Sequence, residues 1–132
     1  MTNSNRILIV DDDLMVGLHI KVEVEAMGYG VIGPVSSVEG ARAVLREENV
    51  AVAILDVNLH NEDSLTLAQD LWKKRIPFVF VTGSRLGLMQ RQFPEVAILP
   101  KPVDFRALRQ HLAAVFEDKD GQHENVRRSA AS

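Results

Sequence analysis

Five short apolar runs punctuate the chain: Ile7 to Val10, Val31 to Val35, Val50 to Leu55, Phe78 to Val81 and Val96 to Leu99. Each is rich in β-branched or aromatic residues and has the length of a strand rather than a helix. The segments between them are long enough for helices. Strands that alternate with helices require crossover connections, and crossovers build a parallel sheet covered on both faces. The pattern therefore predicts an α/β fold with five parallel strands, doubly wound.

The intervening segments carry helix signals of different kinds. Ser36 and Glu39 have the spacing of a capping box, opening a helix to about Glu48 with Ala41, Val44 and Leu45 inward. Asp63 or Ser64 can cap the next helix, on which Leu65, Ala68, Leu71 and Trp72 share a face. Asp104 can cap the last, with Phe105, Leu108, Leu112 and Val115 as its apolar stripe. The first segment fits two templates. Residues 18 to 25 alternate apolar and polar like a strand, while Val16, Ile20, Val24 and Met27 lie on one helical face. Two neighbouring parallel strands need a crossover, so this segment is predicted helical, leaving at Gly28. Leu14, Leu18 and Val22 make a second stripe on it, either packed against the last helix or left as a docking surface. A short, mobile helix is expected between Ser84 and Phe93. From Asp118 onward the chain is polar and aperiodic, so the expected organisation is an extension over 1–5, one domain over 6–117 and a disordered tail over 118–132.

Composition narrows the function classes. A chain of 132 residues, 46% apolar and 25% charged, is ordinary for one globular domain. A formal net charge of -3 argues against a broad nucleic-acid surface. The absence of cysteine excludes disulfides, thiolate metal sites and a cysteine nucleophile. No apolar run has membrane-spanning length and the polar start is unlike a signal peptide, so a cytoplasmic bacterial protein is expected. His19, His60, His111 and His123 follow no metal-ligand spacing and are expected at the surface or on helices.

The chemistry gathers at one place. In an open α/β sheet, ligands bind beyond the carboxyl ends of the strands. The first predicted strand ends in Asp11-Asp12-Asp13, the third in Asp56, the fourth in Thr82-Gly83 and the fifth in Pro100-Lys101-Pro102. Asp13 suits a helix N-cap rather than a ligand. Clustered carboxylates without thiolate or imidazole suit a hard cation, and Mg²⁺ fits best. A metal beside Asp56 would let that carboxylate attack phosphorus and become an aspartyl phosphate. Mg²⁺, Lys101 and Thr82 could then balance the phosphoryl oxygens, with Gly83 leaving room for them.

This arrangement resembles the receiver domain of two-component response regulators over about residues 6 to 117. The resemblance rests on the acids after the first strand, "AILDVNL" around Asp56, "FVTGS" at 80 to 84 and "LPKPV" at 99 to 103. It implies a flavodoxin-like (βα)5 fold with Asp56 as phosphoacceptor. Asp11 and Asp12 would be the metal-site acids, with Asp12 the direct ligand, and Asn58 would offer its backbone carbonyl. Thr82 would be the switch hydroxyl and Lys101 the site lysine, with a cis Lys101-Pro102 peptide. The stretches "GPVSSVEGA" and "IPFVFVTG" are similar to a subgroup named for a Phe-Ala-Thr-Gly stretch; Val81 replaces its alanine and its tyrosine is absent.

Three positions depart from the family pattern. His60 stands where receivers carry proline, Ser64 where they carry glycine, and Ile98 where they carry a switching aromatic. Isoleucine has no ring to swing, so the signal is expected to leave through backbone movement between Thr82 and Phe93. His60 lies in the loop after Asp56 and could influence dephosphorylation.

The resulting expectation is a stand-alone response regulator. It takes a phosphoryl group from a histidine kinase or histidine phosphotransfer protein and acts through a downstream protein target. It would be a signalling module catalysing its own phosphorylation and dephosphorylation, a monomer or weak dimer, without nucleic acid or membrane partners. Three rival readings stand against it. A Mg²⁺-dependent phosphohydrolase with an aspartate nucleophile would place its motif on the first strand, with an acid where Asn58 stands. A flavodoxin-like cofactor binder would show a phosphate-cradling loop after strand one, where this chain has three acids. A receiver-like module binding partners without phosphorylation would not need the acids, Thr82 and Lys101 together.

Overall fold

The computed structural model describes residues 6–59, 62–83 and 91–120. Strands β1 (Arg6–Val10), β2 (Gly30–Val35), β3 (Val52–Asp56), β6 (Phe78–Thr82) and β7 (Ile98–Pro100) form one parallel sheet in the order β2-β1-β3-β6-β7. Helices α1 (Leu14–Ala26), α2 (Val38–Glu47), α3 (Ser64–Lys73) and α4 (Phe105–Asp120) cover its two faces. A two-residue ladder, β4 (Asn58–Leu59) with β5 (Glu62–Asp63), follows β3 and has no signal in the sequence pattern. The doubly wound, flavodoxin-like fold is as expected.

Alternation along each strand sorts the core into two layers. Leu8, Val10, Ala53, Leu55, Phe78 and Phe80 pack with Ala41 of α2 and with Leu67, Ala68 and Leu71 of α3. Ile7, Ile9, Val52, Ile54, Val79 and Val81 pack with Ile20 and Val24 of α1 and with Leu108 and Leu112 of α4. The three central strands are buried almost throughout, which is why they read as continuous apolar runs.

Most helix boundaries follow the sequence signals. The Asp13 carboxylate caps α1, accepting from the amides of Met15 and Val16 at 3.1 and 3.2 Å. Gly28 follows the end of α1 with φ +102. The Asp104 carboxylate accepts from the amides of Arg106 and Ala107 at 3.0 and 3.3 Å and starts α4. The cap of α2 is a correction: Ser37, not Ser36, accepts from the Gly40 amide, at 3.0 Å. The inward face of α3 also differs, since Leu67 is fully buried while Trp72 is 54% exposed. Trp72 lies instead against the ring of Phe93, with centroids 5.7 Å apart. Helix α4 runs to Asp120, three residues past the expected boundary; 121–132 and most of the segment expected as a mobile helix lie outside the described residues.

Two glycines shape the β2 side of the site. A Cβ on Gly17 would come within 2.7 Å of the Pro34 ring, so only glycine lets α1 pass this close to β2. Gly33 has φ +102, and a Cβ there would meet the Ile9 carbonyl and the Val35 amide at 2.7 Å each. Beside it the β1–β2 register shifts, and the Asp11 amide donates to the Val35 carbonyl at 2.9 Å. Gly33→Ala should therefore cost about 2 kcal/mol or more, seen as a lower urea midpoint. The Gly33-Pro34 peptide is cis, which the sequence does not signal.

Burial holds His111 of α4 below its ordinary pKa of 6.5. The folded state therefore disfavours the imidazolium relative to the unfolded chain. The stability this group contributes is complete above the unfolded pKa and is lost as pH falls through the lower folded value. His111→Gln should lose less stability than the wild type between about pH 7.5 and about pH 5.5, as measured by urea midpoints.

Candidate functional site

The carboxyl ends of the parallel strands meet along one edge, and strand alternation decides which side chains share it. Asp11 continues the parity of Ile7 and Ile9, Asp56 that of Val52 and Ile54, and Lys101 that of Ala97 and Leu99. All three thus emerge on the α1/α4 side of the sheet. Thr82 continues the parity of Phe78 and Phe80 and emerges on the other side.

The ion pairs follow from that placement. The Lys101 ammonium lies 3.3 Å from Asp11 Oδ2 and 3.4 Å from Asp56 Oδ2. Both carboxylates are 3% exposed, so neither has bulk water to solvate its charge. The second oxygen of Asp11 accepts from the Asp13 amide at 2.9 Å. Lys101 is fixed from its own backbone, which donates to the Thr82 carbonyl at 2.9 Å and ties the end of β7 to that of β6. Thr82 itself is buried. The Lys101-Pro102 peptide is cis, as expected.

Asp12 completes the cluster. Carboxylate oxygens of Asp11, Asp12 and Asp56 all lie within 4.8 Å of one another, and Asp12 is the more exposed of the three. Among the described residues, the ion pairs of this cluster set three carboxylates beside the Lys101 ammonium, an excess of negative charge. An all-oxygen donor set with that excess fits a hard divalent cation such as Mg²⁺. Asn58, whose backbone was expected to contribute, begins β4 two residues beyond Asp56. Open space adjoins Gly83, where a Cβ would meet nothing within 4 Å. His60 lies outside the described residues.

One site feature escaped sequence reasoning. Ser64, considered as a cap and as a departure from glycine, is 1% exposed and donates its hydroxyl to the carbonyls of Asp56 at 2.9 Å and Val57 at 2.7 Å. The available signal was a hydroxyl residue at the start of the helix that follows the Asp56 loop.

A family model described as the response regulator receiver domain matches residues 7–113. The chain belongs to this family. The receiver is 32% identical over 81 residues to the regulatory protein VirG of Rhizobium rhizogenes, covering 61% of this chain and 33% of VirG. The chain thus spans about a third of the length of that curated relative. Among solved structures it resembles SdrG from Sphingomonas melonis Fr1, with 32% identity, a TM-score of 0.75 and coverage of 88% of this chain and 99% of SdrG. It also resembles the BeF3-activated conformation of SdrG from Pseudomonas melonis Fr1, with 32% identity, a TM-score of 0.73 and coverage of 87% and 98%. Receivers are signalling modules of bacterial two-component systems. No helix among the described residues is long and apolar enough to cross a membrane.

Proposed function

We propose that this receiver accepts a phosphoryl group from a phosphohistidine on a histidine kinase or phosphotransfer protein onto Asp56, and that the phosphorylated form is read by a downstream protein. The observation that carries this reading is a buried Asp56 carboxylate paired to Lys101 within a cluster of two further acids. An Asp56 carboxylate oxygen forms a bond to phosphorus as the nitrogen–phosphorus bond of the donor breaks. The donor nitrogen keeps the bonding pair and takes up a proton. Lys101 turns its ammonium from the carboxylates to the incoming phosphoryl oxygens, and the Thr82 hydroxyl donates to another. Asp11, Asp12, Asp56 and the Asn58 carbonyl would hold Mg²⁺, which when bound supplies positive charge against the phosphoryl oxygens.

The surface beside the site supports a helical protein donor. Leu14, Met15, Leu18 and Val22 on α1 are 62%, 75%, 38% and 60% exposed, so the second stripe is not packed against α4. Next to it, an apolar hollow of about 130 Å³ is lined by Val16, His19, Ile20, Lys101, Val103 and Phe105 among others. Helix α1 starts directly after the acids, so a bundle seated on this stripe would bring a phosphohistidine to Asp56. Output is assigned to protein contact, in the cytoplasm.

Fluoroberyllate with Mg²⁺, a stand-in for the phosphoryl group, provides the test. A saturable complex should shift the backbone amides around Asp11, Asp56, Thr82 and Lys101 together. If the amides at all four strand ends stay unchanged at saturating fluoroberyllate, the chain is a receiver-like interaction module that works without phosphorylation.

A further inference from the structure

We infer that Ser64 is a positioning residue for the phosphoacceptor loop, its hydroxyl setting the two peptide planes that follow Asp56. The inference rests on the reading of Asp56 as phosphoacceptor and of the adjoining acids and Asn58 carbonyl as the metal site.

The Asp56–Val57 peptide is tied at both ends. Its carbonyl accepts from Ser64 Oγ at 2.9 Å. Its N–H, on Val57, donates to the Val81 carbonyl of β6 at 3.1 Å. A trans peptide is planar with its C=O and N–H pointing in opposite directions, so the two bonds fix that plane between α3 and β6. The next plane is held through the Val57 carbonyl, which accepts from the same hydroxyl at 2.7 Å. That hydrogen bond turns the Asn58 N–H to the side away from Ser64, and Asn58 itself is paired in the β4–β5 ladder with Asp63, the residue next to Ser64. A hydroxyl has one proton, so Ser64 shares it between the two acceptors.

Glycine at this position offers no such donor, and its loop carbonyls must find other partners. Alanine would leave them facing a buried methyl group. Ser64 is 1% exposed, so water does not substitute without rearrangement. The hydroxyl thus pre-sets the residue that carries the nucleophile and the residue whose carbonyl is proposed as a metal ligand. Groups that orient ligands from behind change metal affinity when removed, without touching the metal.

The test compares wild type with Ser64→Ala, Ser64→Gly and Ser64→Thr, which keeps the hydroxyl. Mg²⁺ is titrated at a temperature where each variant is fully folded, following the amides of Val57 and Asn58. Phosphorylation by acetyl phosphate is measured in parallel. Alanine and glycine should weaken Mg²⁺ binding about tenfold, with threonine closer to wild type. A purely structural hydroxyl would lower the unfolding midpoint and leave the Mg²⁺ affinity of the folded protein unchanged. That result in both Ser64→Ala and Ser64→Gly overturns the inference, whether or not the threonine variant folds. Wild-type protein that binds Mg²⁺ but takes up no phosphoryl group refutes the proposed function instead, and the affinity ratio still decides the role of Ser64. Wild-type protein that binds no Mg²⁺ refutes both.

Discussion

Asp56→Asn should abolish phosphoryl uptake, by a factor on the order of 10³ or more, with the fold intact. The amide has nearly the shape of the carboxylate but cannot form a stable acyl phosphate as the carboxylate oxygen does. Its effect on stability has the opposite sign to most buried substitutions. Asp56 is one of three clustered carboxylates, and removing its charge leaves Lys101 still paired with Asp11 at 3.3 Å. Less repulsion at the edge means that the unfolding midpoint without metal should stay level or rise. Phosphotransfer from a labelled histidine kinase or phosphotransfer protein, together with thermal unfolding, checks both halves. Label taken up undiminished by the Asp56→Asn variant would place the nucleophile elsewhere.

Lys101→Met should separate three properties that a plain loss of fold would move together. Methionine keeps much of the apolar stem and removes the charge. Asp11 and Asp56, each 3% exposed, would then face one another and Asp12 without the Lys101 charge between them. Stripping one partner from a buried pair costs about 3–5 kcal/mol. The Lys101 side chain is 22% exposed, so solvent screens part of the interaction and about 1–3 kcal/mol is the expected loss without metal. Mg²⁺ should bind more tightly, because the competing ammonium has gone. Phosphoryl uptake should nevertheless slow by about 10²-fold, as when one donor to a developing charge is removed. Urea unfolding, Mg²⁺ titration and phosphorylation rates read the three effects. Weaker Mg²⁺ binding in the variant would contradict the electrostatic account of the edge.

The strands are legible in the sequence because a sheet covered on both faces needs continuous apolar runs, and the ligand-edge rule then collects Asp11, Asp12, Asp56, Thr82 and Lys101. What the folded geometry adds is the side: Asp11, Asp56 and Lys101 share the α1/α4 face, and Thr82 emerges opposite. Helix α1 is harder to read, since residues 18 to 25 alternate like a strand and only the crossover requirement decides the matter. The cap of α2 falls one residue from its expected place because Ser36 and Ser37 are adjacent and both can cap; the hydrogen bond of Ser37 to Gly40 distinguishes them. Trp72 reads as inward because it shares a helical face with Ala68. It is more than half exposed because Leu67 and Leu71 already fill that side of the core and its ring rests on Phe93. Ser64 is hidden for a different reason. A serine at a helix start is ordinarily a cap for its own helix, and only the folded chain shows this one donating back to the preceding strand end.

Trapping the phosphorylated residue tests the central claim most directly. The protein is incubated with Mg²⁺ and a small phosphodonor, reduced with borohydride, which converts an aspartyl phosphate to homoserine, and sequenced by mass spectrometry. The account predicts homoserine at Asp56 and at no other aspartate. A phosphoryl group recovered on a histidine or serine, or homoserine at Asp11 or Asp12 with Asp56 unmodified, would contradict it.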